Sequence, residues 1–499
     1  MLRGVLFGDE VSVLTGLRLS FVFDSLSISM AALALFMAVA VSIYSFGYVD
    51  SEKSKERKFF LIAPWLFCLF SCLSVFSSDW FFFALFLELS SVVLFFMILP
   101  VSFRTAVYYL LAQLSGSLLV LLGAALMLHK TGTAIVGPVP AELLWFFIPG
   151  VGIKAALPGL HFWLPKAHSE APTPTSALLS GFAVKLGIYG LARLISLPAA
   201  PVLLFFGSVM AIYGVFQALL QHDAKRLLAY HTVSQLGYIV SAIGAGTTLG
   251  VAAGAYHAVA HALFKGLLFL AVGTLEKAYG TRDLRFLGSG AARTFPLTFA
   301  LFLVGALAIA GFPGMSGFAS KAMVKTSLKE TSHYASLWVL QAASVGTVLS
   351  FCKLGYFGFF AKNRQPLQPC AKELPCAKKD KFRNAGMALL AAGTVFLGLR
   401  PQVLPTFMQT NCPAFFESDA VFSGVVPVFI GGILFLMLRK VLAPADHKTL
   451  DLDGLLTKIY AVLARCPALV AKLHTGRLRF YIVTVIITAL SVFFFIASY

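Results

Sequence analysis

Roughly fourteen stretches of this chain stay apolar over the ~20 residues that a helix needs to cross a bilayer, and only short polar breaks separate them. In lipid every backbone N–H and C=O must be bonded within the chain, so such stretches become α-helices. The expected spans are 25–48, 59–77, 79–100, 105–128, 141–168, 174–196, 201–221, 227–245, 250–275, 294–331, 335–360, 384–400, 421–441 and 479–498. The fold class is therefore all-α, a polytopic membrane protein. Composition agrees, with 59% hydrophobic and 12% charged residues, where a soluble domain carries roughly 25% charged.

Two of these spans are overlong, 141–168 and 294–331. Each contains a proline, Pro158 and Pro313, and each is read as one interrupted span. Counting either as two would reverse everything downstream. The distribution of Lys and Arg tests the choice. With the N-terminus outside, the inside segments 49–58, 101–104, 166–173, 222–226, 276–293, 361–383 and 439–479 hold 27 of the chain's 39 Lys and Arg. The outside connections hold Lys130, Lys325, Lys329 and Arg400. A basic inner face beside anionic lipid accounts for the net charge of +18 without a nucleic-acid partner. The expected location is a cell (inner) membrane, multi-pass, and Met1–Ser20 has no apolar core of the signal-peptide kind. Cys370 and Cys376 should then lie inside and Cys412 outside. No Cys or His cluster completes a metal site around them, and Cys68 with Cys72 reads as helix packing. Neither a cofactor nor a resident metal is expected.

The interrupted spans stand five apart in the order. Five is odd, so consecutive five-span units face opposite ways. The expected organisation is a tail and first span over 1–58, a first five-helix repeat over 59–196, an inverted second repeat over 201–360, and C-terminal spans over 384–499 with a basic, partly amphipathic connection at 445–478. In each repeat the fourth span is broken at proline and carries a lysine: Lys154 beside Pro158, and Lys321 after Pro313. One break alone reads as a kink. Two in matching positions, each with a lysine, read as sites, because freed backbone groups are tolerated in a membrane only inside protein or beside water.

Charges at mid-membrane cost roughly 3 kcal/mol each on insertion scales. Glu88 is the one acid well inside a span. Lys154 and Lys185 are central in theirs, too deep to snorkel. Low-dielectric burial favours a neutral amine and a nearby carboxylate favours the charged one, so movement of Glu88 relative to Lys154 makes a proton switch. His257, His261 and Lys265 follow at four-residue spacing on one helix face, a plausible imidazole-to-amine relay. His-x3-His can also chelate a metal, but no third ligand is in register and Lys265 opposes a cation. Lys225 and Arg226 lie at a membrane boundary, where interface anchoring and proton uptake are equally open readings. Lys353 is expected to snorkel.

These residues lie in stretches that resemble the antiporter-like subunits of respiratory complex I, of the Mrp-type cation/proton antiporters and of membrane-bound hydrogenases. The stretches are Ile153–Pro158 with His161–His168, Ala171–Leu179, Lys225–Tyr238, His257-x3-His261-Ala262-Leu263-Phe264-Lys265, and Gly311–Phe318 with Lys321. Together they cover roughly 20–360 in the family's order. The resemblance implies a proton channel through each of two inverted units, joined by a hydrophilic axis. Glu88 and Lys154 take the place of the family's glutamate–lysine pair, and Lys185 that of its central lysine. His257, His261 and Lys265 match its histidine-bearing connecting helix, and Lys321 its exit-side lysine. The tail Thr449–Asp453 looks like that of D-type Mrp and related hydrogenase subunits. Two spans that the family places ahead of Phe23–Ser27 have no counterpart here.

The sequence thus implies a subunit that translocates protons, with Na+/H+ antiport as a variant, among other membrane subunits, paralogous antiporter-like ones included, and lipid. It shows no catalytic centre of its own, so a redox reaction or an opposing ion gradient elsewhere must drive it. The rival readings are a non-transporting scaffold and a membrane partner of an inorganic-carbon uptake system.

Overall fold

The computed structural model describes residues 5–14, 17–49, 54–194, 200–288, 290–361, 377–410 and 415–444. The expected span 479–498, the connection 445–478, the tail Thr449–Asp453 and Cys370, Cys376 and Cys412 lie outside them.

The membrane region is helical throughout. Its elements are α1 (Ser25–Tyr48), α2 (Ser54–Phe76), α3 (Trp80–Ile98), α4 (Phe103–Thr131), α5 (Leu144–Lys154), α6 (Trp163–Glu170), α7 (Thr173–Leu178), α8 (Val184–Leu194), α9 (Ala200–Leu220), α10 (Ala224–Ile243), α11 (Thr248–Tyr279), α12 (Ala291–Thr294), α13 (Pro296–Ala310), α14 (Ser316–Glu330), α15 (Tyr334–Phe359), α16 (Ala377–Leu399), α17 (Val403–Phe407) and α18 (Ser418–Leu438). A π-helical turn, Leu179–Ala183, joins α7 to α8. The N-terminal tail adds a feature that hydropathy does not predict, a hairpin of β1 (Val5–Leu14) antiparallel to β2 (Leu17–Phe23). Large apolar residues recur at every second position, Leu17, Leu19, Phe21 and Phe23, the period of two that a strand requires.

Every expected span up to 421–441 has its helix or broken helix, with ends a few residues away. Among the described residues, ten helices are long and apolar enough to cross a membrane. Three further expected spans fall outside that ten for physical reasons. Two are broken, leaving arms too short. The third, α10, carries Lys225, Arg226, His231, Ser234 and Gln235 and is buried over nearly all its length. α11 lies at the centre; its whole apolar window is buried, and it packs on α10, α13, α14 and α16. Small residues let α9 and α10 approach backbone to backbone: a Cβ on Gly214 would strike Ser234 and Tyr230. By contrast α18 exposes Phe422, Phe429, Leu436 and Met437, as a lipid-facing helix would.

Side-chain contacts fix how the broken spans run. Glu142, ahead of α5, pairs with Lys130 at the end of α4, whereas Glu170, ending α6, accepts a hydrogen bond from Thr105 at the start of α4. The first broken span therefore crosses once. The second begins beside Tyr279, whose ring meets Phe295, and its far arm reaches Ser423 near the start of α18. It also crosses once, in the opposite direction. Lys325, counted with the outside connections although it falls inside the expected span 294–331, lies within α14 and is buried.

Asp24 closes the face where α1 begins. It caps α1 in a capping box with Ser27, and both its oxygens accept from Arg193 of α8, at 2.5 and 2.8 Å. Burial alone would raise its proton affinity, but Arg193 and Ser27 outweigh it and hold the carboxyl below its ordinary range.

Candidate functional site: two helix breaks and the buried basic line between them

The two breaks share one backbone design. In the first, Ala156 and Gly159 adopt left-handed φ of 54° and 79°, with Pro158 between them; in the second, Gly311 and Gly314 adopt 85° and 83°, flanking Pro313. The hydrogen bonds correspond as well. Ala156 N donates to Ile153 O and Leu157 N to Gly152 O; likewise Gly311 N donates to Ala308 O and Phe312 N to Leu307 O. Both are helix ends of the Schellman type followed by a proline stop. The first uses alanine where the second uses glycine, at a steric cost of roughly 1 kcal/mol.

At the first break Lys154 ends α5, buried. Its Nζ lies 3.2 Å from Glu88 Oε2 and 3.1 Å from Ser91 Oγ, both on α3. Ser117 of α4 donates to the same carboxylate oxygen at 2.7 Å. Glu88 Oε1 is buried without a partner. Glu88 and Lys154 are thus brought together as expected. Lys185 is fully buried and bonds neither of them; its Nζ donates to Ser180 O in the π turn. The backbones do meet, since a Cβ on Gly187 would strike Lys154 and Ala155.

On α11, His257, His261 and Lys265 are all fully buried. The two imidazoles stack with centroids 6.4 Å apart, His257 Nδ1 lies 2.9 Å from Ser320 Oγ, and Lys265 Nζ donates to Leu228 O at 2.5 Å. Lys321 of α14 donates to Ile309 O at 2.7 Å and stands 5.0 Å over the Tyr238 ring. His168 and His231 fall within the sequence motifs, but their spacing assigns them no role. Both are fully buried. The ring nitrogens of His231, like those of His261, have no hydrogen-bond partner, a costly state for buried polar atoms, whereas His168 meets the backbone of Leu164. They fill the gaps. His261 lies in the fields of Lys185, Lys265, His257 and His168, and His231 in those of Lys265 and Lys321. The result is one line of mutually interacting basic groups from Lys185 to Lys321. The Glu88–Lys154 pair adjoins the start of that line through the backbone contact at Gly187.

A second cluster sits at the membrane boundary. Lys225 is buried and pairs with Glu276 at 2.5 Å, also donating to Ala171 O at 3.0 Å. Arg282 bridges Glu276 and Asp223 and donates to Ser169 O. Lys225 is therefore a buried ion pair joining α6, α10 and α11 rather than an interface anchor. Glu276 is inconspicuous in the sequence because it precedes Lys277 in the charged last turn of α11. Lys353 does not snorkel: it is 1% exposed and caps the end of α9, donating to Leu219 O and Gln221 O at 2.6 and 2.9 Å.

A family model described as NADH:quinone oxidoreductase/Mrp antiporter matches residues 77–350, and one described as the N-terminus of complex I chain 5 matches 14–60. The chain is 31% identical over 444 residues to hydrogenase-4 component B of Escherichia coli K12, covering 78% of this chain and 64% of that protein. It is 26% identical over 368 residues to the D-type Na(+)/H(+) antiporter subunit of Alkalihalophilus pseudofirmus, covering 69% and 74%. The chain spans 54 to 64% of the length of three relatives that match it at 31 to 34% identity. Its fold is that of a chain of the Mrp complex from Dietzia sp. DQ12-45-1b, with TM-score 0.77, 24% identity, and coverage of 99% of this chain and 58% of that one.

Proposed function

The chain belongs to the membrane subunits of the NADH:quinone oxidoreductase/Mrp antiporter family, and from that premise we propose that it translocates protons as an antiporter-like subunit of a larger membrane complex. The observation that carries the proposal is the buried basic line between two matched helix breaks, with a carboxylate at one end. Buried imidazoles and amines are costly in an apolar bundle unless they are used, and side chains that change charge can pass a proton from one to the next. The nearly all-basic lining favours protons over a metal cation as the passing species. Sodium exchange, suggested by the name of the Alkalihalophilus relative, is the second activity to measure.

In this reading Glu88, Lys154, Lys185, His257, His261, Lys265 and Lys321 carry protons, and Lys225 with Glu276 admits them at the boundary. The matched breaks support two five-helix repeats of opposite sense, the first over 59–196 and the second over 201–360. The positive-inside pattern favours an outward N-terminus, and the fold neighbour favours paralogous membrane subunits as partners. Glu88→Gln removes the switchable field on Lys154 while keeping its size. In the assembled complex, reconstituted in vesicles with a pH-sensitive dye, it should abolish most proton flux. Full flux would leave the scaffold reading in its place.

A further inference from the structure

Lys325 lies one helical turn beyond Lys321 on α14, and the two lysines meet the same kind of acceptor. Ile309 precedes Pro313 by four residues, and Ser423 of α18 precedes Pro427 by four. Ile309 lies in the last turn of α13, where the break leaves carbonyls without a helical donor, and inside α18 Pro427 has no N–H to return to Ser423, whose carbonyl also loses its donor. Lys321 Nζ takes the first at 2.7 Å and Lys325 Nζ takes the second at 3.0 Å. Between them is a cavity of about 10 Å³ lined by Gly311, Lys321, Lys325, Ser344, Ser423 and Pro427, a space on the scale of one water. Lys325 is 7% exposed. Lys329, a further turn along the same face, is exposed. α18 lies beyond the residues matched by the family models.

We propose that Lys325 is a second proton-carrying lysine on the outgoing arm, so that protons leave Lys321 through one bridging water to Lys325 and exit along the α14–α18 seam past Lys329. In each transfer an N–H bond of the Lys321 ammonium breaks as an O–H bond forms on the water. Another O–H of that water breaks as an N–H forms on neutral Lys325. Lys325 then releases the proton to Lys329 or to bulk water. No net charge is made, and no reagent but water takes part. A merely structural donor to Ser423 would need no titratable group, and arginine would serve it equally.

The proposal rests on the translocation reading, so the test measures Glu88→Gln beside the Lys325 variants, all in the assembled complex in vesicles. Lys325→Met and Lys325→Arg should each slow proton flux about tenfold or more, since arginine keeps its proton at accessible pH. Lys325→Cys should be equally slow. It should recover when 2-aminoethyl methanethiosulfonate restores an amine, and not with the methyl reagent. Wild-type flux in Lys325→Met, or recovery with the arginine, overturns the relay role while a dead Glu88→Gln leaves translocation standing. Wild-type flux in Glu88→Gln overturns both. Should the lysine variants fail to assemble, Pro427→Ala keeps Lys325 and returns the Ser423 carbonyl to its helix. It should slow flux; unchanged flux would overturn the proposal.

Discussion

The two helix breaks repeat one backbone device and place their chemistry on opposite arms. Lys154 is on the incoming arm of the first, held by a carboxylate and a serine of a neighbouring helix. Lys321 is on the outgoing arm of the second, held by a carbonyl of its own broken span and the face of Tyr238. No carboxylate among the described residues pairs with Lys321. The two spans cross in opposite directions, so the choice of opposite arms brings both lysines to the same half of the membrane, the half where α1 begins. An ion pair holds a charge with a partner that can move away; a backbone carbonyl holds it with a fixed dipole. On the proposed translocation reading, the first break suits switching and the second a steady binding site on the way out.

The largest expected effect tests the second break. Lys321→Ala and Lys321→Arg should both cut proton flux about a hundredfold with the complex still assembled. Near-normal pumping by the arginine variant would return Lys321 to a structural counter-charge and remove the functional half of the comparison.

Next in size is a contrast between two ion pairs. Asp24 and Arg193 form a fixed clasp, Glu88 and Lys154 the proposed switch. Asp24→Asn should destabilise the purified complex by about 3 kcal/mol, lowering its thermal midpoint and leaving flux per folded molecule unchanged. Glu88→Gln should do the reverse. The Asp24 carboxyl is held below its ordinary range, so its stabilisation is present above the unfolded-state value and lost as pH falls through the folded one. The Asn variant should lack that acid limb. Equal loss of flux in both variants would erase the distinction between clasp and switch.

The smallest effect concerns the shared backbone. Gly311→Ala puts a Cβ on a left-handed residue and should cost about 1 kcal/mol; Ala156→Gly removes one and should stabilise by up to about 1 kcal/mol. Shifts of the same sign in thermal unfolding of the two variants would show that the breaks are not equivalent.

Much of this was legible in the chain. Span positions follow from local hydropathy, and the breaks from Pro158 and Pro313. The pairing of Glu88 with Lys154 was legible from the family resemblance, because Glu88 is the one acid well inside a span while several lysines share that depth. Other features hid behind ordinary composition. Lys325 stands close enough to the end of its expected span to be grouped with the outside connection, Glu276 in a charged helix end, and His168 and His231 inside motifs where nothing in the spacing marks them as buried.

The sequence by itself determined the helices, where two of them stop and restart, and which titratable groups enter the membrane. These depend on backbone bonding and transfer free energy, which each segment carries alone. Beyond the Glu88–Lys154 pair, only the tertiary structure decided who meets whom: Lys225 with Glu276, and Lys325 with a carbonyl 98 residues on, freed by a proline in another helix. Such partners depend on which faces pack together, and packing is settled by the shapes of all the helices at once.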